Sequence, residues 1–295
     1  MLELQQRLFL GILRISSWLP MTVARRIGCV LSGCFWALKS RNRHVTEVNI
    51  AHCYPELSKS EQTQLARASY LSIGEGLGEM GAVWLKPVEQ ILASIESIEG
   101  EALLLEAIDR DQGLIVLIPH IGNWEVMGLH LASVHQTTSL YELSGRKQID
   151  HFIKKVRSRN GATLVPTNQR GIGRLLKNLK QGQVTAVLPD QLPRGRSGGE
   201  YAPFFGHSVL TMTLVNNLLQ RTGAEAIFGF AQRTKKGFKL VFKPACREIS
   251  ADNQVGALTA LNRGVEQCIA DCPEQYAWEY KRFRDRPKTK NSIYD

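Results

Sequence analysis

The side chains best suited to moving a proton lie together in Pro119-His120-Ile121-Gly122-Asn123-Trp124-Glu125. His120 can act as a base near neutral pH, and a carboxylate beside it would fix its tautomer and raise its basicity. His120 and Glu125 are five residues apart. On a continuous helix that is about 140° of rotation, so the two would face apart. A turn at Gly122 removes the conflict, and Asn123 is a good N-cap that would place Glu125 in the first helical turn. There the helix dipole favours an ionised carboxylate. With no serine or cysteine close in sequence, the pair suits direct transfer. His120 would take the proton from an acceptor hydroxyl as that oxygen attacks an acyl carbonyl. By spacing alone, a histidine satisfied by an ordinary carboxylate at a helix start reads the same way.

The surrounding elements give this heptapeptide its place. Gly113 to Pro119 is a continuous apolar run, the pattern of a strand covered on both faces. A helix is predicted from Trp124 to Val134. Strands follow at 140–143, 163–165 and 184–188, with helices at 149–160 and 172–181. The motif therefore sits where a buried strand ends and a helix begins, where ligand sites of open α/β sheets occur. Residues 193–199 read as a loop, 211–222 as a helix, and 226–233 with 238–242 as a hairpin around Lys235-Lys236-Gly237. A last helix spans 258–269, and another covers 60–80 with Ser58 or Ser60 as N-cap. The fold class is α/β: a mostly parallel central sheet flanked by helices.

The first 38 residues differ from the rest. Their apolar blocks are broken by Arg14, Pro20, Arg25 and Arg26, and none reaches the ~20 residues of a spanning helix. They read as amphipathic helices lying in a membrane interface, with Trp18 and Trp36 as interfacial aromatics and the arginines on lipid phosphates, as a buried helical hairpin, or as a single tilted or distorted span. A basic cluster from Lys39 to His44 follows. The division is thus 1–38, membrane-anchoring helices; 39–98, a helical segment; and 99–295, the α/β domain. A net charge of +10 implies an anionic partner. The basic residues are largely dispersed and aromatics make up only 7%, which disfavours a non-catalytic nucleic-acid binder with stacked bases. The six cysteines have no zinc-ligand spacing and read as reduced thiols.

Several stretches, in order along the chain, resemble the lipid A late acyltransferases, the lauroyl and myristoyl transferases of the glycerolipid and lipid A acyltransferase superfamily. They are Asn49 with Cys53-Tyr54-Pro55-Glu56, His120 with Glu125, Tyr141, Arg157 with Arg159, Pro189-Asp190-Gln191, Pro203-Phe204-Phe205-Gly206 with Thr211, Gln275-Tyr276-Ala277-Trp278, and Arg282-Phe283-Arg284 with Arg286-Pro287. The resemblance implies transfer of a fatty acyl chain from an acyl thioester, on acyl carrier protein, to a hydroxyl of a lipid A precursor at the cytoplasmic face of the inner membrane. It implies no metal or redox cofactor. It makes His120, Glu125, Arg157 and Asp190 the catalytic candidates, with Glu125 stabilising the imidazolium. Arg157 would bind a phosphate or the oxyanion, and Asp190 would orient that arginine or a loop. Asn123, Tyr141, Arg159 and Gln191 become substrate-binding candidates. Arg282, Arg284 and Arg286 read as a solvated basic face. One departure stands out: Glu142-Leu143 follows Tyr141 where the resemblance leads one to expect Arg-Pro, which keeps a lysophospholipid, an aminolipid or another glycolipid in view as acceptor.

Overall fold

A computed structural model describes residues 2–142, 145–193, 196–285 and 292–294. Four helices come first: α1 (Leu2–Trp18), α2 (Met21–Ala37), α3 (Arg41–Cys53) and α4 (Lys59–Leu85). Ser58 caps α4 in a reciprocal capping box with Glu61. Then α5 (Val88–Leu92) and β1 (Ile95–Glu99) lead into α6 (Glu101–Asp109), β2 (Leu114–Leu117), α7 (Trp124–Val134) and β3 (Thr137–Tyr141). The alternation continues through α8 (Lys147–Arg157), β4 (Thr163–Pro166), α9 (Gln169–Leu179) and β5 (Val184–Val187). A hairpin of β6 (Gly199–Phe204) and β7 (His207–Met212) precedes α10 (Leu214–Thr222), β8 (Glu225–Arg233), β9 (Phe238–Pro244) and α11 (Gln254–Asp271).

Among the described residues the main sheet has seven strands in the order β1-β9-β8-β2-β5-β3-β4, parallel at every pairing except β8 with β9. The mostly parallel α/β fold expected from the sequence is therefore present. Every residue of β2 and of β5 is buried. Alternate side chains of β2 enter two apolar clusters: Ile115 and Leu117 join Leu175 of α9 and Leu261 of α11, whereas Leu114 and Val116 join Met127 and Leu131 of α7. Period-two alternation thus feeds helices on both faces.

The β6–β7 hairpin replaces the expected helix start at Thr211. Its two-residue turn holds Phe205 at φ 48° and Gly206 at φ 75°, the positive-φ geometry that matches strand twist. Arg282 is buried and donates to the Leu210 carbonyl and to Thr211 Oγ1, so it holds β7 in place and is no part of a solvated basic face. Leu143, Arg286 and Pro287 lie outside the described residues.

No single helix among the described residues is long and apolar enough to cross a membrane, although α2 and α3, bent by 85°, pass that test together by length and composition. The apolar residues are nevertheless displayed: Leu8, Ile12, Ile15 and Trp18 on α1, and Ile27, Val30, Leu31 and Phe35 on α2, are all exposed. Two expectations are corrected. Trp36 is buried under the Arg43 guanidinium and beside Tyr70. Arg25 is buried on Glu79, because a carboxylate inside the fold needs a cation more than a lipid phosphate does. On their other side, α1 and α2 press on α4 through small residues. A Cβ at Gly28 would come within 2.0 Å of the Gly74 carbonyl oxygen, one at Gly78 within 2.2 Å of the Ala24 oxygen, and one at Gly81 within 1.9 Å of Ser16 Oγ.

Candidate active site

β2 and β5 are parallel and in register, with Leu114 opposite Val184 and Leu117 opposite Val187. Each strand then runs through an apolar residue and a proline, Ile118-Pro119 and Leu188-Pro189. The next residue on each is therefore brought alongside its counterpart, and those residues are His120 and Asp190. Asp190 Oδ1 lies 2.8 Å from His120 Nδ1, and Oδ2 accepts the His120 backbone N–H at 3.0 Å. With the Nδ1 proton given to Asp190, His120 Nε2 carries the basic lone pair, and Gln191 Nε2 lies 3.1 Å from it.

The turn after His120 is built as the sequence predicts. Gly122 adopts φ 61°, and a Cβ there would lie 1.9 Å from the Ala231 oxygen, so only glycine fits. Its N–H donates to the Gln275 carbonyl, the Asn123 N–H to the Ala231 carbonyl, and Ala277 N–H to the His120 carbonyl. Asn123 caps α7 by accepting from Val126 N–H, which puts Glu125 in the first turn. The ring partner of His120, however, is Asp190 and not Glu125. Glu125 receives the guanidinium of Arg157 instead, with Arg157 Nε at 3.0 Å and 3.1 Å from its two oxygens and Nη2 at 2.7 Å. The residues expected to form one dyad thus belong to two adjacent pairs, His120–Asp190 and Glu125–Arg157. Arg157 also lies over the Trp124 ring, 4.4 Å from its centroid.

Two cavities meet at these pairs, both lined by Trp84, His120, Trp124, Glu125 and Arg157. The first, about 510 Å³, runs between aliphatic side chains such as Leu129, Leu140, Val156 and Leu188. The second, about 350 Å³, reaches Leu77 and Met80 of α4 and is edged by Arg233 and Glu279.

The profile of the bacterial lipid A biosynthesis acyltransferase family matches residues 3–285. The chain belongs to that family. It is 26% identical to the lipid A biosynthesis lauroyltransferase of Escherichia coli (strain K12) over 288 residues, covering 97% of this chain and 93% of the relative. It is equally identical to the palmitoleoyltransferase of the same organism over 290 residues, with 97% and 92% covered. With the myristoyltransferase the identity is 24% over 253 residues, 84% of this chain and 77% of the relative.

In this acyltransferase the electrostatics follow from burial and pairing. Burial pulls the His120 pKa down, but the charge and hydrogen bond of Asp190, with Glu279 further off, more than offset it, and the imidazole ends above its ordinary value. Burial pushes Asp190 up, and its bonds to His120 bring it below the usual carboxylate range. For Glu125 burial raises the pKa against the lowering by Arg157.

The remaining predicted residues are distributed as follows. Tyr141 is buried, donates its hydroxyl to Asp150 Oδ1 at 2.7 Å and lines the first cavity. Arg159 lines the same cavity while donating to the carbonyls of Lys86 and Val83 at the end of α4. Asn123 spends its amide within the protein, on Val126 and on Glu79 Oε1. Sequence reasoning missed Glu79, Arg233 and Glu279. Fully buried in α4, Glu79 accepts from Arg25 Nε, from Arg233 Nε at 2.7 Å and from Asn123 Nδ2 at 2.7 Å. Arg233 Nη2 in turn donates to the Gly122 carbonyl. The turn after His120 is therefore tied to α2 and α4 through one carboxylate. For Glu79 the sequence signal was weak, since it is one of two glutamates, with Glu75, among the glycines of α4.

Proposed function

We propose that this acyltransferase moves a fatty acyl chain from an acyl carrier protein thioester to a hydroxyl of a lipid A precursor, at the cytoplasmic face of the inner membrane. The observation that carries this reading is the basic His120 Nε2, held by Asp190 where a cavity walled by aliphatic side chains meets a second one edged by Arg233 and Glu279. The first cavity suits the acyl chain of the donor. The acceptor hydroxyl approaches from the second, displaces the Gln191 amide and gives its proton to Nε2 while its oxygen attacks the thioester carbonyl. Asp190 stabilises the imidazolium. Arg157, aimed by Glu125, faces the charge that develops on the carbonyl oxygen. Collapse of the tetrahedral adduct breaks the carbon–sulfur bond, and His120 returns the proton to the leaving thiolate.

Other features support the partners. Arg170, Arg174 and Lys177 are exposed on α9, the helix whose Ile172 lines the first cavity, and such a stripe suits an acidic carrier protein. The exposed apolar faces of α1 and α2, with Arg14 and Arg26 exposed beside them, suit an anionic bilayer surface. The relatives' names support lipid A as the acceptor. Glu142, in the wall of the first cavity, favours a second reading in which the chemistry is the same and the acceptor is an aminolipid or a lysophospholipid.

The test is His120→Ala in a purified assay with acyl carrier protein thioester. Transfer is abolished while fold and membrane association persist; retained turnover would refute the role of His120. Lipid profiling of a deletion strain tests the acceptor, and unchanged lipid A acylation would remove lipid A.

A further inference from the structure

Five imidazole, guanidinium and carboxylate side chains edge the second cavity: His120, Glu125, Arg157, Arg233 and Glu279. Four are satisfied within the protein. His120 has Asp190, Glu125 has Arg157, and Arg233 divides its donors among Glu79, Ser72 Oγ and the Gly122 carbonyl. Glu279 is the exception: its own backbone N–H meets the carboxylate, but no group among the described residues donates to its buried Oε2. A buried carboxylate oxygen without a donor costs free energy that a folded protein has no structural reason to keep.

The segment that carries Glu279 is rigid and registered on the catalytic base. Ala277 N–H donates to the His120 carbonyl at 3.0 Å. Trp278 is buried, its indole N–H donates to the Pro273 carbonyl, and its own carbonyl accepts from Asn49 Nδ2 at 2.6 Å. Glu279 therefore holds its place relative to His120, as a binding group must. Neither an acyl chain nor a thioester carbonyl offers a proton for it.

We infer that Glu279 receives a hydrogen-bond donor of the acceptor, a hydroxyl or ammonium close to the reacting oxygen, and so selects which acceptor is used. This rests on the proposed function, with the second cavity as the acceptor's site. Glu279 is then a specificity-determining residue that touches substrate without taking part in bond making.

The test uses full-length protein in detergent, with Glu279→Met and Glu279→Gln compared with the wild type. The probes are an acyl carrier protein thioester and two acceptors, a 3-hydroxyacylated glucosamine disaccharide phosphate and a 3-hydroxyacyl aminolipid. Removing an unmade buried acceptor leaves Glu279→Met more stable without substrate, with the unfolding midpoint raised by about 2–4 °C. The same variant raises the KM for the acceptor by about tenfold or more and leaves the donor KM within about twofold. Glu279→Gln separates the two donors, because its amide oxygen still accepts from a hydroxyl but gives up the charge that an ammonium needs. An acceptor KM within about threefold of wild type identifies a hydroxyl, and a rise of about tenfold an ammonium. An unchanged acceptor KM in Glu279→Met, or a rise confined to the donor KM, overturns the inference. A wild type that uses neither acceptor refutes the proposed function instead. The midpoint then decides alone on Glu279, and a fall would show it to be a structural residue.

Discussion

Asp190→Asn separates the pairing seen at the site from the His120–Glu125 pairing that spacing suggests. Asp190 accepts two N–H groups from the same residue, the His120 ring at 2.8 Å and the His120 backbone at 3.0 Å. Asparagine is close to isosteric but has one oxygen, so it can satisfy only one of them. If the oxygen keeps the backbone, the amide N–H group faces Nδ1, the ring takes the other tautomer, and the lone pair leaves Nε2. If the oxygen keeps the ring, a backbone donor meets an amide donor and the turn shifts. Either way kcat falls by about 10³- to 10⁴-fold, the scale of a tautomer error at a histidine base. The pH profile gives the sign. In the wild type Asp190 helps hold the His120 pKa above its ordinary value, so activity rises as pH climbs through that raised value and the base loses its proton. Without that charge, burial prevails and the rising limb of the residual activity moves to lower pH. In Glu125→Gln the limb stays and only the rate drops, because that change acts through Arg157. Steady-state rates between pH 5 and 9 on matched proteins make the comparison. An Asp190→Asn enzyme that keeps more than about a tenth of the wild-type kcat, or a limb that moves in Glu125→Gln and not in Asp190→Asn, would refute the assignment.

Three further outcomes are expected. Arg157→Lys keeps the charge but loses the fork onto both Glu125 oxygens and the contact over Trp124, so kcat falls by about 10- to 100-fold with an unchanged circular dichroism spectrum. Gly128 lines the first cavity, and a Cβ there meets nothing within 4 Å; Gly128→Leu fills that space and shifts the preferred thioester to shorter chains, each methylene excluded being worth about 0.8 kcal/mol, or about fourfold, in competition assays. Glu79→Leu leaves the Arg25 and Arg233 guanidinium groups buried without their shared carboxylate, a cost of about 3–5 kcal/mol that calorimetry registers as a midpoint lower by roughly 10 °C.

What the sequence carried and what it withheld divide along a physical line. Local features were legible. The buried strand before His120, the turn at Gly122, the cap at Asn123 and the helix from Trp124 depend on residues within a few positions of one another. The pairing of His120 with Asp190 depends on the register of two strands 70 residues apart in sequence, which no local period reports. Glu79 and Glu279 escaped for a related reason, since a single carboxylate in a helix or loop normally belongs to a solvated face, and only the assembled fold reveals what surrounds it. Arg282 misled in the opposite direction, because a run of arginines reads as surface while this one fixes β7. The β6–β7 hairpin was hidden by Phe205, a bulky residue at positive φ where asparagine or glycine would have announced the turn.

The close-packed glycines between α2 and α4 bear on what the front helices can be. A tether would let the catalytic centre wander over whatever surface it is fastened to. Backbones that touch at Gly28, Gly74 and Gly78 leave no such slack, and Glu79, one position beyond the last of these, holds the turn next to His120. Whatever plane the exposed sides of α1 and α2 rest on, His120 stands at a constant height above it. Were that plane a bilayer surface, the proposed transfer would select a hydroxyl partly by its depth, and a hydroxyl at another level would be passed over even when its chemistry is right.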